Sequence, residues 1–305
     1  GGERFPAMVN AIDANIQRGV LVANYIGHGG EAGLADERVV AIDQINSWSN
    51  INALPLFVSA TCEFTKYDDP ARVSAGEWAS LNPYGSSIAL MTTTRSVWFG
   101  VNTITGKKFF ENVFDRDAND EPLAFGDIMR LTKNASGSSD NKRSFTLIGD
   151  PALKIALPRL KVVTDSINGL SSSIEIDTIK ALSKMTIKGH IEDQNGLSLT
   201  NFNGVLSPSI FDKPKMQQTL GQNNDSPVIP FELQRNVVYK GKVSIVNGNF
   251  EFSFIVPKDI NFAYGPGKIS YYAANGETDA GGFDTLFIIG GIDPTGINDV
   301  TGPEI

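Results

Sequence analysis

Two hydrophobic rhythms divide this 305-residue chain. Ahead of residue 157, apolar residues come in unbroken runs. These are Val20-Leu21-Val22-Ala23-Asn24-Tyr25-Ile26, Leu54-Pro55-Leu56-Phe57-Val58-Ser59-Ala60 and Ser87-Ile88-Ala89-Leu90-Met91-Thr92. Segments with apolar residues three or four apart separate them. Strands that read as continuous apolar runs between helices predict a parallel sheet covered on both faces. From Pro158 onward the rhythm changes to alternation, as in Asn249-Phe250-Glu251-Phe252-Ser253-Phe254. Period-two patterning bounded by Gly, Asn, Asp and Pro predicts antiparallel strands.

The spacing predicts helices over 5–18, where Met8, Ile12 and Ile16 share a face, over 38–48, and around 75–81, 103–114 and 123–133. Residues 29–36 read as a loop, and 145–151 as a short closing segment. In the second half, strands are expected over 160–163, 184–190, 242–246, 249–256, 268–272 and 285–289, with a polar loop region carrying strand-like patches at 201–225. Asn247-Gly248 marks a hairpin, because both residues accept the positive φ of a type I′ turn. Six or seven such strands suggest an immunoglobulin-like sandwich. The expected domains are 1–157, 158–292, and a tail or further domain start at 293–305.

A net charge of -8 argues against a broad nucleic-acid surface, which needs basic patches. No stretch approaches the roughly 18 apolar residues of a membrane span. One Cys and two His cannot supply a structural zinc set, so no metal site is expected from them. The opening Gly1-Gly2-Glu3 and the closing Val300-Thr301-Gly302-Pro303-Glu304-Ile305 read as an internal piece of a longer protein.

The single cysteine, Cys62, ends the second apolar run, and His28 ends the first. Ligands bind beyond the carboxyl ends of strands in open α/β sheets. A thiol becomes a useful nucleophile when an imidazole takes its proton and later returns it to a leaving amine. Cys62 follows His28 by 34 residues, which fits one strand–helix–strand crossover. Backbone N–H groups must also face the developing oxyanion. Gly29 and Cys62 are the candidate donors. A cysteine after a strand also serves as a small buried hydrophobe, and a His after Gly as a satisfied loop residue. The pattern alone leaves both readings open. His190, in the β-rich half, is expected to be structural.

Gly27-His28-Gly29-Gly30-Glu31 followed by Ser59-Ala60-Thr61-Cys62-Glu63-Phe64 resembles the gingipain-type cysteine peptidases, family C25. Further likeness lies in 62–70, in 145–151 and in Phe211-Asp212-Lys213-Pro214-Lys215. It is greatest toward the family's signal peptidase and sortase branch in the type IX secretion system. The resemblance implies an α/β caspase-like (gingipain-like) three-layer domain, N-terminally truncated, followed by an all-β immunoglobulin-like sandwich. It implies Cys62 as nucleophile, His28 as proton shuttle, and the Gly29 and Cys62 amides as oxyanion hole. Residues 93–98 match the segment that walls the S1 pocket, with Trp98 as its aromatic side and Thr94 beside it.

The implied location is the outer face of a bacterial outer membrane. The implied partners are secreted cargo with a C-terminal sorting domain, an amine of lipopolysaccharide as acceptor, and other secretion-system components. The family's acidic partner of the His precedes the His strand, so it is expected to lie outside this chain. Glu31, Glu63, Asp68 and Asp69 flank the two catalytic candidates and read as substrate-amine or calcium ligands, or as solvated loop charge. A non-catalytic cell-surface interaction module on the same scaffold is the alternative reading.

Overall fold

The computed structural model describes residues 4–171, 177–221 and 227–296. The chain divides into two compact units, Gly1–Ala156 and Leu157–Ile305.

Unit 1 is a mixed α/β domain in three layers. Its elements are α1 (Pro6–Arg18), β1 (Val22–Ile26), β2 (Gly29–Gly30), β3 (Gly33–Leu34), β4 (Val40–Ala41), α2 (Ile42–Ser47), β5 (Leu56–Ala60), α3 (Ala75–Leu81), β6 (Ala89–Thr93), α4 (Phe99–Asn112), α5 (Phe125–Ala135) and β7 (Phe145–Ile148). The main sheet has the order β1-β5-β6-β7. Its first three strands are parallel, and β7 runs antiparallel to β6. The expectation of a parallel sheet therefore holds for three strands and fails at the fourth.

β5 and β6 are buried at every residue, as continuous apolar runs in a central position should be. β1 is not: Asn24 and Ile26 are exposed, because it forms the sheet edge. The reading of β1 as a buried strand is corrected accordingly. The predicted loop over 29–36 keeps its turns but also holds β2 and β3, which pair with each other and, through β3, with β4 beyond it. This pairing depends on Gly33, where a side chain would meet the Val40 carbonyl oxygen.

Helix α1 starts with Pro6 in its first turn, where a missing N–H costs nothing. Ile16 is buried on its inner face, while Met8 stays exposed despite sharing the period. Ile16, Ile45, Trp48, Ala75 and Ala79 pack with Phe57, Phe64 and Leu90, so α1 to α3 cover one face of the sheet. The rings of Phe57 and Phe64 stack at 5.8 Å. Helices α4 and α5 cover the other face, with Gly106 against Ile26. Helix α3 begins in a capping box, Ser74 with Glu77.

Unit 2 is all-β. Its strands are β8 (Leu160–Ile167), β9 (Leu170–Ser171), β10 (Asp177–Ala181), β11 (Lys184–Glu192), β12 (Gly204–Phe211), β13 (Lys215–Gln218), β14 (Pro230–Leu233), β15 (Val237–Lys240), β16 (Val243–Ile245), β17 (Asn249–Ile255), β18 (Gly265–Pro266), β19 (Lys268–Ala274), β20 (Asp279–Asp284) and β21 (Phe287–Ile292). A large sheet follows the path β15-β12-β19-β20-β8-β11-β17, with β16 on β12 and β9 on β8. A second sheet has the order β10-β21-β18, and one apolar core draws on both. β13 and β14 pair apart from them.

The strand-like patches expected within the polar stretch 201–225 are β12, a full eight-residue interior strand of the large sheet, and β13. Residues 222–225 of that stretch lie outside the described residues, as do 297–305 of the expected tail. Pro208 sits inside β12 because its neighbour is interrupted there: β16 pairs with 204–206 and β15 with 209–211. A proline without an N–H is tolerated where the ladder breaks. The Asn247-Gly248 turn has φ of 51° and 77°, the positive pair that a type I′ hairpin needs.

Candidate active site

Parallel pairing of β1 with β5 places Ile26 opposite Ala60. His28 and Cys62 each lie two residues beyond that rung, at the same end of adjacent strands. Gly27 N–H donates to the Ala60 carbonyl at 3.4 Å, which continues the pairing one step past β1. The backbone at Gly29 then passes so close to Thr61 that a Cβ would stand 2.6 Å from the Thr61 Oγ1. Glycine there serves this close approach of the two segments.

The His28 carbonyl is held twice, by the Tyr25 hydroxyl at 2.6 Å and by the Ala35 N–H at 2.8 Å. Burial, then the carboxylate of Glu37, raises the Tyr25 hydroxyl above its ordinary range. Since rung 28/35 carries a hydrogen bond, the next rung, Gly29 with Leu34, is a non-hydrogen-bonded one. The Gly29 N–H therefore points away from β3. Among the described residues no hydrogen bond uses the Cys62 N–H.

The Cys62 sulfur is half-buried and faces the backbone of one residue, Val97. The Val97 N–H lies 3.5 Å from Sγ and the Val97 carbonyl oxygen 3.6 Å from it. Among the described residues no hydrogen bond joins the sulfur to the His28 ring, which is exposed. The chain thus brings the two residues to one strand end without joining their side chains.

Segment 92–97 is fastened to the Cys62 segment over its length. The Ser59 hydroxyl donates to Thr92 Oγ1 at 2.8 Å, Thr93 Oγ1 donates to the Thr61 carbonyl, and Thr65 N–H donates to the Thr93 carbonyl at 3.0 Å. Glu63 N–H donates to the Arg95 carbonyl at 3.4 Å. Glu63 itself has φ of 51°, a left-handed conformation uncommon outside glycine. Beneath the site, Asn102 of α4 is buried and donates from Nδ2 to the Ala60 carbonyl at 3.1 Å.

The candidate substrate residues have different fates. Trp98 and its neighbour Phe99 are 77% and 76% exposed, an aromatic pair open to a ligand one residue beyond Val97. The Thr94 hydroxyl donates to the Ser144 carbonyl at 3.3 Å. Glu31 is drawn inward: its carboxylate meets Lys66 Nζ at 2.8 Å and Arg72 Nε at 3.1 Å. The hydrogen bond to Glu31 raises Lys66 above its ordinary value. Asp68 pairs with Arg95, and Asp69 with Lys66 at 3.8 Å. With three of the four flanking carboxylates matched by cations, the set does not fit the six to eight oxygens of calcium. Among the described residues no group of three or more His, Cys, Asp or Glu side chains is placed to hold a metal ion.

An open hollow of about 740 Å³ lies beside the His28 turn, lined by residues 29–33, 35–38 and Arg72. Cys62 and Trp98 are not among the residues that line it. His190, in unit 2, bonds Asp165 through Nδ1 at 2.8 Å within the sheet.

Tyr25 and Asn102 were not singled out as site residues by the sequence; Val97 and Arg95 entered only within the 93–98 wall segment and Asp68 only as a flanking carboxylate, not as partners of Cys62 and of each other. Asn102 left a local trace there. With Thr105 and Gly106 it puts small or polar residues on the inner face of a helix, at i, i+3 and i+4.

The profile of peptidase family C25 matches residues 1–156. No curated protein matches the chain. Among solved structures, dimeric latent PorU from Porphyromonas gingivalis is 29% identical with a TM-score of 0.43, over 60% of this chain and 18% of that one. The complex of the pro- and mature domains of RgpB from Porphyromonas gingivalis is 13% identical with a TM-score of 0.44, over 92% of this chain and 58% of that one. The Arg-specific cysteine proteinase gingipain R is 14% identical with a TM-score of 0.44, over 92% of this chain and 56% of that one. The chain therefore spans less than two thirds of each of these.

Proposed function

The chain belongs to peptidase family C25, and from that premise we propose that it carries the acyl-transfer centre of a cysteine peptidase, with Cys62 as nucleophile and His28 as proton shuttle. The observation that supports this most is the β1–β5 register, which sets both residues two positions past one rung.

In the proposed reaction His28 takes the thiol proton and the sulfur attacks the scissile carbonyl. The Gly29 and Cys62 N–H groups stabilise the resulting oxyanion. The intermediate collapses to a Cys62 thioester, and His28 delivers the proton to the departing amine. Water or a second amine then attacks the thioester and restores the thiol. Trp98, with Phe99 beside it, offers an apolar wall for the residue ahead of the scissile bond. Thr94 supports that wall through Ser144, and Glu63 shapes the backbone after the nucleophile. Glu31 acts from behind, through Lys66 and Arg72.

The likeness in 62–70, 145–151 and 211–215 favours one branch of the family. On that reading the substrates are secreted proteins with a C-terminal sorting domain. The thioester passes to an amine on lipopolysaccharide, and the work takes place with other secretion-system components at the bacterial cell surface. No helix among the described residues is long and apolar enough to cross a membrane. Unit 2 is read as an immunoglobulin-like accessory domain, which its all-β make-up and single core support.

Replacing Cys62 by Ala is expected to abolish release of the sorting domain and formation of the thioester adduct, detected by mass. Undiminished processing by that variant would sink the peptidase reading. The interaction-module reading draws support from the sulfur, whose hydrogen bonds reach Val97 and not the imidazole. A Cys62→Ala protein that still holds its cargo and processes none would be compatible with both. Wild-type protein that forms no thioester with cargo would favour the module.

A further inference from the structure

Arg95 makes three attachments. Its carbonyl accepts the Glu63 N–H, one residue beyond the nucleophile, at 3.4 Å. Its guanidinium donates to both carboxylate oxygens of Asp68, with the Oδ1 contact at 2.9 Å. It also donates to the Thr94 carbonyl at 2.7 Å, closing its own turn. The stem of the segment is fixed on the other side, where Thr94 N–H donates to the Ser144 carbonyl at 2.9 Å. Between this anchored stem and the exposed Trp98 lies Val97, whose N–H stands 3.5 Å from the Cys62 sulfur.

We propose that Arg95 is a positioning residue for the nucleophile. Its bidentate clasp on Asp68 holds segment 95–97 against the Cys62 segment and so keeps the Val97 N–H on the sulfur. This assignment rests on Cys62 being the nucleophile. A fork-shaped guanidinium suits the task, because paired bonds to one carboxylate fix orientation as well as distance. The Val97 N–H and the Val97 carbonyl oxygen, 3.5 Å and 3.6 Å from Sγ, together fix where the sulfur stands. The clasp is solvent-exposed on both sides, with side chains 51% and 47% exposed. Its effect is therefore modest, and it acts through the Val97 backbone rather than on substrate.

The test is a double-mutant cycle read on the sulfur itself. The rate of Cys62 alkylation by iodoacetamide at neutral pH is measured by mass for wild type, Arg95→Gln, Asp68→Asn and the double variant. Each single variant is expected to slow alkylation by roughly 1.5-fold to fivefold, the range of an exposed ion pair. The double variant is expected to be no slower than either single one. Arg95→Lys, which keeps the charge and loses the fork, is expected to recover only part of the rate. Thermal midpoints of the four proteins are expected to agree, which separates positioning from folding. Single variants that alkylate at the wild-type rate, or losses that add in the double variant, would overturn the assignment. Alkylation needs no peptide substrate, so failure of the clasp and failure of the peptidase reading register in different experiments.

Discussion

The Asn102 side chain reaches from the first turns of α4 to the carbonyl of Ala60, the last residue of the strand that leads to Cys62, at 3.1 Å. The same carbonyl accepts the Gly27 N–H at 3.4 Å, so one oxygen gathers the His segment, the Cys strand and the helix behind them. Asn102→Ala is expected to cost about 1–2 kcal/mol in urea unfolding, the price of a buried donor removed from a backbone carbonyl. Asn102→Asp should cost more, since a buried carboxylate would then face that oxygen. Equal stability of the Ala and Asp variants would show that the bond does not form.

The close approach at Gly29 gives a second prediction. A Cβ there would lie 2.6 Å from Thr61 Oγ1 and 3.0 Å from the Gly33 carbonyl. Gly29→Ala is expected to destabilise unit 1 by about 1–3 kcal/mol. Gly29→Ala with Thr61→Ala should lose less than the sum of the two single variants. Strict additivity would mean that the two residues do not touch.

Unit 2 carries a pH prediction. Burial raises the Tyr271 hydroxyl above the ordinary 10.0, and the side chain shares a hydrogen bond with Thr164 at 2.8 Å. A folded state that holds a proton more tightly than the unfolded one gains stability that is complete below the unfolded value. That gain is lost as pH rises through the folded value. Stability of wild-type unit 2 should therefore fall above about pH 10, and Tyr271→Phe should flatten that fall. The variant should also lose about 1 kcal/mol at neutral pH with the hydrogen bond. An unchanged alkaline slope in Tyr271→Phe would remove Tyr271 as its source.

The Asn247-Gly248 turn gives the fourth. At Gly248, φ is 77° and a Cβ would stand 2.2 Å from the Leu199 carbonyl oxygen. Gly248→Ala is expected to cost about 1–3 kcal/mol, and Asn247→Gly much less. Thermal denaturation of the two variants checks the order.

Helix α3, the buried run of β5 and the Asn247-Gly248 hairpin were legible because each is written in consecutive residues. The full length of β12 was not, because Ser207, Pro208 and Ser209 resemble a turn until the break between β15 and β16 explains the proline. β20 was missed for a related reason. Gly281 and Gly282 supply no hydrophobic signal, yet a side chain at Gly282 would strike the Val162 carbonyl oxygen of β8. In the site, the strand-end placement of His28 and Cys62 could be read from two apolar runs. Val97 over the sulfur and Arg95 on Asp68 could not. They join segments roughly thirty residues apart through a backbone path that no local pattern encodes.

The reversed direction of β7 has a consequence for how the domain can vary. A fourth parallel strand would have sent its leading loop to the end of the sheet opposite Cys62. Running backwards, β7 starts where β5 and β6 finish, and Ser144, immediately before it, takes two hydrogen bonds from Thr94. Residues 136–144 therefore share an address with the sulfur although more than seventy positions separate them in the chain. Lengthening or stiffening that stretch would retune the seat of Trp98 without touching any residue that meets the thiol. Changes after Ile148 would be spent at the far rim of the sheet.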